Sequence, residues 1–539
     1  MATKKKKEKS NGISDFINEL WQAAVNLRGS IEPADYKRYV LPLIFLRFLS
    51  IRFEKRRSEL AEMVREPDSP YYADDPQEAQ AILEDADEYH SVGAFVVPEE
   101  ATWDYIMAHA QDDDIKVKID DALEALERAY PDQLRGLLPR IFAGSNMDLE
   151  NLRGLINLFS KQIFAEDHNG ADLIGRVYEY FIGEFASSEG KRGGEYFTPE
   201  SIVKCLVKMI EPTEGVVLDP CCGSGGMFVQ SDIFTAHSQK LSFVGQESKD
   251  FTYRLCKMNL FMHGLNGRIE LGNSYHNDKL QDEKADYLLA NPPFNDGSKS
   301  TDGWGADRVP KKDPRLKLGD QYMPLAPKNA NTMWIMHLLY HLKDGGTAGF
   351  VMATGELTNN ETARLEVRKQ LVELGYVDCI VQLTGQLFAN TQIPCCLWFL
   401  SKNRDGSHGM RERKNEILFI DGRALGTLIP GSRKQKALSE EELERIASVY
   451  REFKRTASPE EQPGFAAVGT MDQVRQYNFA LSPGRYVGTE EPDEDSEPFE
   501  QLFPELAGKL RRQLSSAAKL GAKIEADLSA IEASSANPE

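Results

Sequence analysis

The sequence predicts an α/β protein: a mostly parallel sheet with helices on both faces, preceded by an all-helical region and followed by a helical tail. Three observations carry that reading. From Gly215 to about Lys402, short apolar or β-branched runs alternate with helical periods, the pattern of a wound parallel sheet. From Ile13 to Phe53, apolar residues recur at helical spacing: Phe16, Leu20, Trp21, Ala24 and Leu27, then Val40, Leu43, Ile44, Leu46, Phe48 and Leu49. Near the end, Leu510, Ala517, Ile524 and Ile531 are spaced by seven, as are Leu514, Gly521 and Leu528, which gives a thin stripe suited to docking on another helix.

Composition sets the outer bounds. A chain of 539 residues, 41% hydrophobic and 27% charged, is globular and long enough for about three domains. No apolar run approaches a membrane span, and Met1 to Lys9 is charged rather than signal-like, so a cytoplasmic protein with no membrane partner is expected. The seven cysteines, with Cys221-Cys222 and Cys395-Cys396 adjacent, fit neither a disulfide framework nor a zinc site and read as core or turn residues, so no metal is expected. The net charge of -20 argues at first against nucleic acid, unless a basic surface is local or supplied by a partner. Residues 1–60 carry 13 Lys and Arg against 7 Asp and Glu, including Lys4 to Lys7 and Lys55-Arg56-Arg57; a solvated start explains the lysine run equally well.

In chain order, residues 64–100 are acidic and turn-rich, and Ile115 to Phe142 and Leu149 to Phe164 return to helical period. The helical region is therefore placed at 1–189. A polar, glycine-rich loop, Glu189 to Glu195, leads to Tyr196-Phe197-Thr198-Pro199; Thr198 as cap and proline in the first turn start a helix over Glu200 to Ile210. Strands are expected at Val216 to Asp219, Phe243 to Glu247, Ile269 to Leu271, Tyr287 to Ala290, Thr347 to Met352, Tyr376 to Gln382 and Cys395 to Leu400. The interval Asn295 to Asn331 is far longer than ordinary loops and is expected to be a mobile flap, with Lys299, Arg308, Lys311, Lys312, Arg315 and Lys317 available to phosphates. A helix follows at Thr332 to Leu342. After Ser401 the pattern is irregular, with a helix near Glu440 to Lys454, a strand or docking segment at Tyr477 to Val487, and an acidic linker at Glu490 to Glu500. The remaining boundaries are then 190–488 for the sheet-bearing domain and 489–539 for linker and tail.

Two stretches carry chemistry. Val216-Val217-Leu218-Asp219-Pro220-Cys221-Cys222-Gly223-Ser224-Gly225-Gly226-Met227-Phe228 is a β-branched run, an acid and a glycine-rich turn opening a helix, the first unit of a nucleotide-binding sheet. It lacks the lysine and spacing of a phosphate loop and the full dinucleotide pattern, so an ATP-driven motor is not expected. Glu247 ends the next strand about 20 residues on, where ribose hydroxyls are usually held. The second stretch is Asn291-Pro292-Pro293-Phe294 at the end of Tyr287 to Ala290. Two prolines stiffen the turn and remove two donors, so the Asn291 side-chain oxygen and the Pro292 carbonyl converge as acceptors beside a flat ring. An exocyclic amine on a flipped nucleobase is complementary to that shape. Read alone, the same four residues are also an ordinary rigid turn.

Phe197-Thr198-Pro199, then Asp219 to Gly226, then Asn291 to Phe294, in that order, resembles the gamma class of amino-group DNA methyltransferases and, within it, the modification subunit of type I restriction-modification systems. Asp35 to Pro42, Gly175 to Phe181, Gly193-Gly194-Glu195-Tyr196, Tyr477-Asn478 and Ser482 to Tyr486 agree, and the likeness spans roughly residues 12–488. The resemblance implies a Rossmann-like S-adenosylmethionine-dependent methyltransferase sheet. It implies S-adenosyl-L-methionine as cofactor, its adenosyl part near Asp219, Ser224, Gly225, Gly226, Glu247 and Asn273 and its methionine end near Glu195, Tyr196, Phe197, Thr198, Pro199 and Glu200. Asn291, Pro292, Pro293 and Phe294 would be catalytic, and adenine N6 is the implied target. The helical region is then a packing module for a partner or a clamp for DNA. Implied partners are double-stranded DNA, a specificity subunit, a second copy of the chain and an ATP-dependent restriction or translocation subunit, in a bacterial or archaeal cytoplasm. The competing readings are a stand-alone DNA amino-methyltransferase and a non-catalytic cofactor-binding scaffold; against the first, no second region resembles a target-recognition domain.

Overall fold

The computed structural model describes residues 16–29, 31–161, 170–188, 198–297, 303–388, 391–429, 432, 434–456, 461–488 and 499–535. The chain divides into two compact units, Met1–Val487 and Gly488–Glu539.

The first unit opens with helices at residues 16–26, Pro33–Met63, Pro76–Glu84, Ala86–His90, Trp103–Ala108, Ile115–Ala129, Leu149–Phe159 and Gly170–Ser188. Pro33–Met63 is the central one: Val40, Leu43, Ile44, Phe45 and Leu46 are fully buried, so that over residues 40–46 the helix is apolar on every side, as a segment enclosed by others must be. Trp21 packs edge-on against Phe181 and Phe185 at 5.0 and 4.8 Å and so ties the first helix to the last. This core also takes in Leu255, Met258, Phe261 and Met262 of the helix Asp250–Met262, with Phe261 stacked on Phe95 at 4.0 Å. The helical region is thus packed onto the sheet layer. Arg56, one of the expected surface cations, is buried against Glu88 at 3.1 Å, so the basic footprint there is thinner than the sequence suggests. Lys4 to Lys7 lie outside the described residues.

The sheet has nine strands: β1 Gly215–Asp219, β2 Leu241–Glu247, β3 Gly267–Leu271, β4 Ala285–Ala290, β5 Leu342–Ala353, β6 Val377–Leu383, β7 Cys395–Ser401, β8 Glu416–Gly422 and β9 Ala466–Thr470. Their order is β9-β8-β6-β7-β5-β4-β1-β2-β3. Pairings β1 with β2, β1 with β4, β2 with β3, β4 with β5 and β6 with β8 are parallel; β7 runs antiparallel between β5 and β6, and β9 antiparallel to β8. Leu218, Leu288, Phe350, Ile380 and Leu397 are fully buried, as strands covered on both faces require.

All seven expected strands are present, and two more extend the sheet. β8 carries four apolar residues, Ile417 to Ile420, after a polar stretch that hid it; β9 is Ala-Ala-Val-Gly-Thr, of low strand propensity, and exists through its pairing with β8. Tyr477 to Val487 is not a strand. It turns through left-handed Asn478 and Phe479 into a short 3-10 helix, Pro483–Arg485. Tyr486 stacks flat on Phe419 at 3.7 Å.

The long interval after Phe294 also departs from expectation. Over its described residues 303–331 it is a folded insertion rather than a mobile flap. Trp304, Val309, Leu316, Leu318, Met323 and Ala326 are buried, Trp304 Nε1 donates to the Ala326 carbonyl at 3.0 Å, and buried Arg315 is bonded to Asp313 and to the carbonyls of Ser274 and Tyr275. Arg315 is therefore structural, whereas Arg308, Lys311, Lys312 and Lys317 are exposed. Lys299 lies outside the described residues.

Under β6, buried Asp378 receives both oxygens' worth of Arg413 at 2.8 and 2.9 Å, the Tyr450 hydroxyl at 2.7 Å, and Arg404 Nε within 3.1 Å. Burial pushes this carboxyl up, but Arg413 and Arg404 outweigh burial and leave it below the usual range. Removing a buried carboxylate strands two guanidiniums, so Asp378→Ala is expected to lower stability by about 3–5 kcal/mol, read from urea denaturation.

The second unit is one helix, Phe499–Ser535. Leu510, Leu514, Ile524 and Leu528, all on the heptad stripe, are 57%, 62%, 53% and 55% exposed. The side chain of Ile531 lies outside the described residues.

Candidate active site

Because β1 and β4 are parallel neighbours in the register Leu218↔Leu288, the turns that follow them emerge side by side. Three residues past each paired leucine stand Cys221 and Asn291, and the Asn291 backbone N–H reaches the Cys221 thiol. The glycine turn and the amide-proline-aromatic corner therefore share one edge of the sheet. The C-terminal edge of a parallel sheet is where such folds bind ligands.

The turn is held from three sides. Asp219 accepts the Cys221 N–H at 3.0 Å, Cys222 N–H donates to the Gln246 carbonyl at 3.1 Å, Ser274 Oγ donates to the Pro220 carbonyl at 2.6 Å, and Asn259 Nδ2 donates to the Ser224 carbonyl at 2.9 Å. Gly223 and Gly225 have φ +55 and +82, a left-handed backbone that a Cβ would strain. At Gly223 and Gly226 an added Cβ would meet nothing within 4 Å, so the floor of the turn is open to a ligand. The Gly223 N–H donates to Glu247 Oε2 at 3.1 Å. Gly223, the first glycine of Gly-Ser-Gly-Gly, thus ties the turn to Glu247, a contact that Ser224, Gly225 and Gly226 as candidates do not include.

Glu247 ends β2 and its other oxygen takes the N–H of Lys249 at 2.9 Å. Asn273, just past β3, uses its side-chain oxygen on the Tyr275 N–H at 2.9 Å. Two acids thus converge. Burial, with Glu247 beside it, pushes the Asp219 carboxyl up to about 7. The turn and Glu247 fit a nucleoside with a ribose diol.

The corner is equally specific. Asn291 Nδ2 donates to Thr198 Oγ1 at 2.9 Å, while Asn291 Oδ1 is buried with no partner among the described residues. Leaving a buried acceptor unmet costs about 1–3 kcal/mol, which fits a group reserved for a ligand. Pro292 is buried; Pro293 and Phe294 are half-buried, and Phe294 meets Phe388 edge-on at 6.0 Å. Thr198 is not the helix cap that was expected. Pro199 occupies that position, with no side-chain cap, because the Thr198 hydroxyl is engaged by Asn291. Glu200 is exposed and paired with Lys204 at 2.6 Å, away from these contacts. Glu195, Tyr196 and Phe197 lie outside the described residues.

Among the described residues, Asp278, His337 and His341 bring potential metal ligands within 4.8 Å of one another. His341 sets one ring nitrogen 3.0 Å from Asp278 and the other 2.9 Å from the Glu283 carbonyl, and Arg315 donates to His337 Nδ1 at 3.2 Å. Burial, with His341 and that guanidinium beside it, holds His337 well below the usual imidazole range, and the same positive charge disfavours a divalent ion.

Since Asp219 is kept protonated in the folded chain and ionises freely when unfolded, the folded state holds the extra proton between the ordinary value of 3.8 and about 7. Its contribution to stability is present at low pH and lost as pH rises through that window. Asp219→Asn, which keeps the acceptor for Cys221, is expected to raise the melting temperature of cofactor-free protein more at pH 8 than at pH 5.

The model of the N-6 DNA Methylase family matches residues 169–495, and that of the HsdM N-terminal domain matches residues 17–161. The type I restriction enzyme MjaIX methylase subunit of Methanocaldococcus jannaschii is 40% identical over 524 residues, 96% of this chain and 91% of the relative. The HindI methylase subunit of Haemophilus influenzae is 37% identical over 77% of this chain and 92% of its own length. Among solved structures, a type I restriction-modification methyltransferase subunit from Streptococcus thermophilus superposes with a TM-score of 0.69 at 22% identity, covering 88% of this chain and 99% of that one.

Proposed function

Since the chain belongs to the N-6 DNA methylase family, and within it to the methylase subunits of type I restriction enzymes, we propose that Asn291, Pro292, Pro293 and Phe294 are its catalytic corner. The protein is an adenine-N6 DNA methyltransferase that uses S-adenosyl-L-methionine. The observation that carries the residue assignment is the buried, unmet Asn291 Oδ1 beside a donor nitrogen fixed on Thr198.

In this reading the adenine leaves the duplex at a cost of a few kcal/mol and stacks on Phe294, a contact worth roughly 1–3 kcal/mol. Asn291 Oδ1 and the Pro292 carbonyl accept the two N–H bonds of the amine and turn its lone pair toward the donor. Neither proline offers an N–H to compete for those acceptors. When bound, S-adenosylmethionine supplies an electrophilic methyl on sulfur. Ser224, Gly225, Gly226, Asp219, Glu247 and Asn273 hold its adenosyl part; Glu195 to Glu200 cover its methionine end. Glu200 is the weakest member of that set, being exposed and paired with Lys204.

The division of labour we propose is 1–189 for packing or clamping DNA, 190–488 for catalysis, and 489–539 for an acidic linker and a helix that docks on the helices of a specificity subunit. Seven large apolar side chains of that helix, from Phe503 to Leu528, are more than half exposed, and the stripe calls for a cover. A second copy of the chain and an ATP-dependent restriction subunit complete the complex on double-stranded DNA, in the cytoplasm. No helix among the described residues is long and apolar enough to cross a membrane.

Asn291→Ala is expected to abolish methyl transfer from labelled donor while leaving donor affinity within about twofold; normal turnover would remove the assignment. Purified alone, the chain is expected to methylate DNA poorly, and with a co-expressed specificity protein to methylate it at defined sites. Site-specific methylation by the chain alone would favour a self-sufficient enzyme.

A further inference from the structure

The chain leaving the corner is bonded to a segment more than thirty residues away. Directly after Phe294, Asn295 adopts a left-handed φ of +52, a conformation that asparagine tolerates better than most side chains because its amide can hydrogen-bond. Here Asn331 fixes it. The Asn295 N–H donates to Asn331 Oδ1 at 2.8 Å, and Asn331 Nδ2 donates back to Asn295 Oδ1 at 3.0 Å. Asn329 Nδ2 donates to the same oxygen at 3.0 Å, and the Ala330 N–H donates to the Asp296 carbonyl at 3.0 Å. The chain leaving the corner is thereby laced to the residues that open the helix Asn331–Tyr340.

The Asn331 amide is in turn oriented. It is fully buried, and its Nδ2 also donates to Glu356 Oε1 at 2.8 Å. Glu356, 2% exposed, is gripped by Arg364, and its backbone carbonyl takes Arg368 Nη1 at 3.0 Å. Arg368 reaches on to the Phe479 carbonyl at 2.7 Å, in the Tyr477-Asn478-Phe479 turn. Apart from Arg368 Nη2, which has no partner among the described residues, these buried groups are hydrogen-bonded to one another, and such a network rigidifies what it touches.

We propose that Asn331, oriented by Glu356, is a positioning residue for methyl transfer: it sets the left-handed turn at Asn295 and with it the direction in which Phe294 and the Pro292 carbonyl face the target base. Asn331 touches neither substrate nor donor in this scheme. The inference rests on the reading of Asn291 to Phe294 as the catalytic corner.

The test uses the protein co-expressed with its specificity subunit, unmethylated genomic DNA and labelled S-adenosylmethionine. Asn331→Asp keeps the acceptor for the Asn295 N–H but loses both donors and sets a carboxylate against Glu356. A fall in kcat of about tenfold is expected, with donor affinity, measured by titration with S-adenosylhomocysteine, within about twofold. Adding Glu356→Gln restores a donor and the cluster's net charge, and is expected to recover most of the loss; a residue needed only for folding would show no such rescue. Unchanged kcat in Asn331→Asp, no rescue, or donor affinity falling in step with kcat would each overturn the proposal. If Asn331→Asp does not fold, Asn295→Gly carries the test, since it keeps the left-handed backbone and its N–H but drops the shared acceptor. A loss of about threefold in kcat supports the proposal and wild-type kcat overturns it. Asn291→Ala, run alongside, separates the two readings: activity retained there sinks the corner itself, whereas activity lost there but retained in Asn331→Asp sinks only the positioning role.

Discussion

The parallel pairing of β1 with β4 is the constraint on which the site depends. The two strands are neighbours with Leu218 beside Leu288, and both leucines are fully buried. A slip of one residue would turn every side chain of a strand to the opposite face and expose one apolar set while burying the other. Core packing thus fixes the register, and the register brings Cys221 and Asn291 level. From there the remaining distances follow. Thr198 meets Asn291 because the helix Glu200–Ile210 packs across the same layer, its residues Ile202, Leu206 and Ile210 buried with Val217, Leu289 and Val351.

Electrostatics at that edge run against stability and toward binding. Asp219 is 2% exposed, next to Glu247 at 9%, and its carboxyl is pushed up to about 7. Two acids beside an open glycine turn are a poor choice for an empty protein and a better one for a ligand that brings hydroxyl donors to them. Perturbed carboxyls in a cleft are characteristic of functional sites. The same logic explains why a net charge of -20 is compatible with DNA as substrate: Lys311, Lys312 and Lys317 are exposed on the insertion that follows the corner, where local charge matters more than the total.

What could be read from the sequence divides along physical lines. β1, β2, β4 and β7 are legible because each is a β-branched or apolar run with an acid or a proline close to one of its ends, a local signal. β9 is not, since Ala466-Ala467-Val468-Gly469 has little intrinsic preference and forms only against β8. The insertion at 303–331 looked like a flap because the interval is far longer than ordinary loops, yet Trp304 and Leu316 are buried in the same core as Leu288 and Phe350 of the sheet. The order Thr198, Asp219 to Gly226, Asn291 to Phe294 announced the site, but not its wiring. That Thr198 serves Asn291 rather than its own helix joins residues 93 apart, and no local pattern encodes such a pairing.

The same holds for the support behind the corner, and here the chemistry explains why support is needed. Two successive prolines give a rigid pair of carbonyls and take away two N–H groups, so the segment cannot be secured by the ladder bonds that hold an ordinary strand end. Rigidity must come from outside it. The Asn295 N–H is anchored on Asn331, which lies 36 residues on. An amide is the side chain suited to that post, because it accepts from the Asn295 backbone and donates to the Asn295 side chain at once. An aspartate in its place would face Glu356, and a leucine would leave the Asn295 N–H unmet and take one partner each from Asn295 Oδ1 and Glu356 Oε1. The long insertion therefore has a structural part beside the proposed corner: its buried side chains join the core that holds Leu218 and Leu288, and its end brings Asn331 back to Asn295.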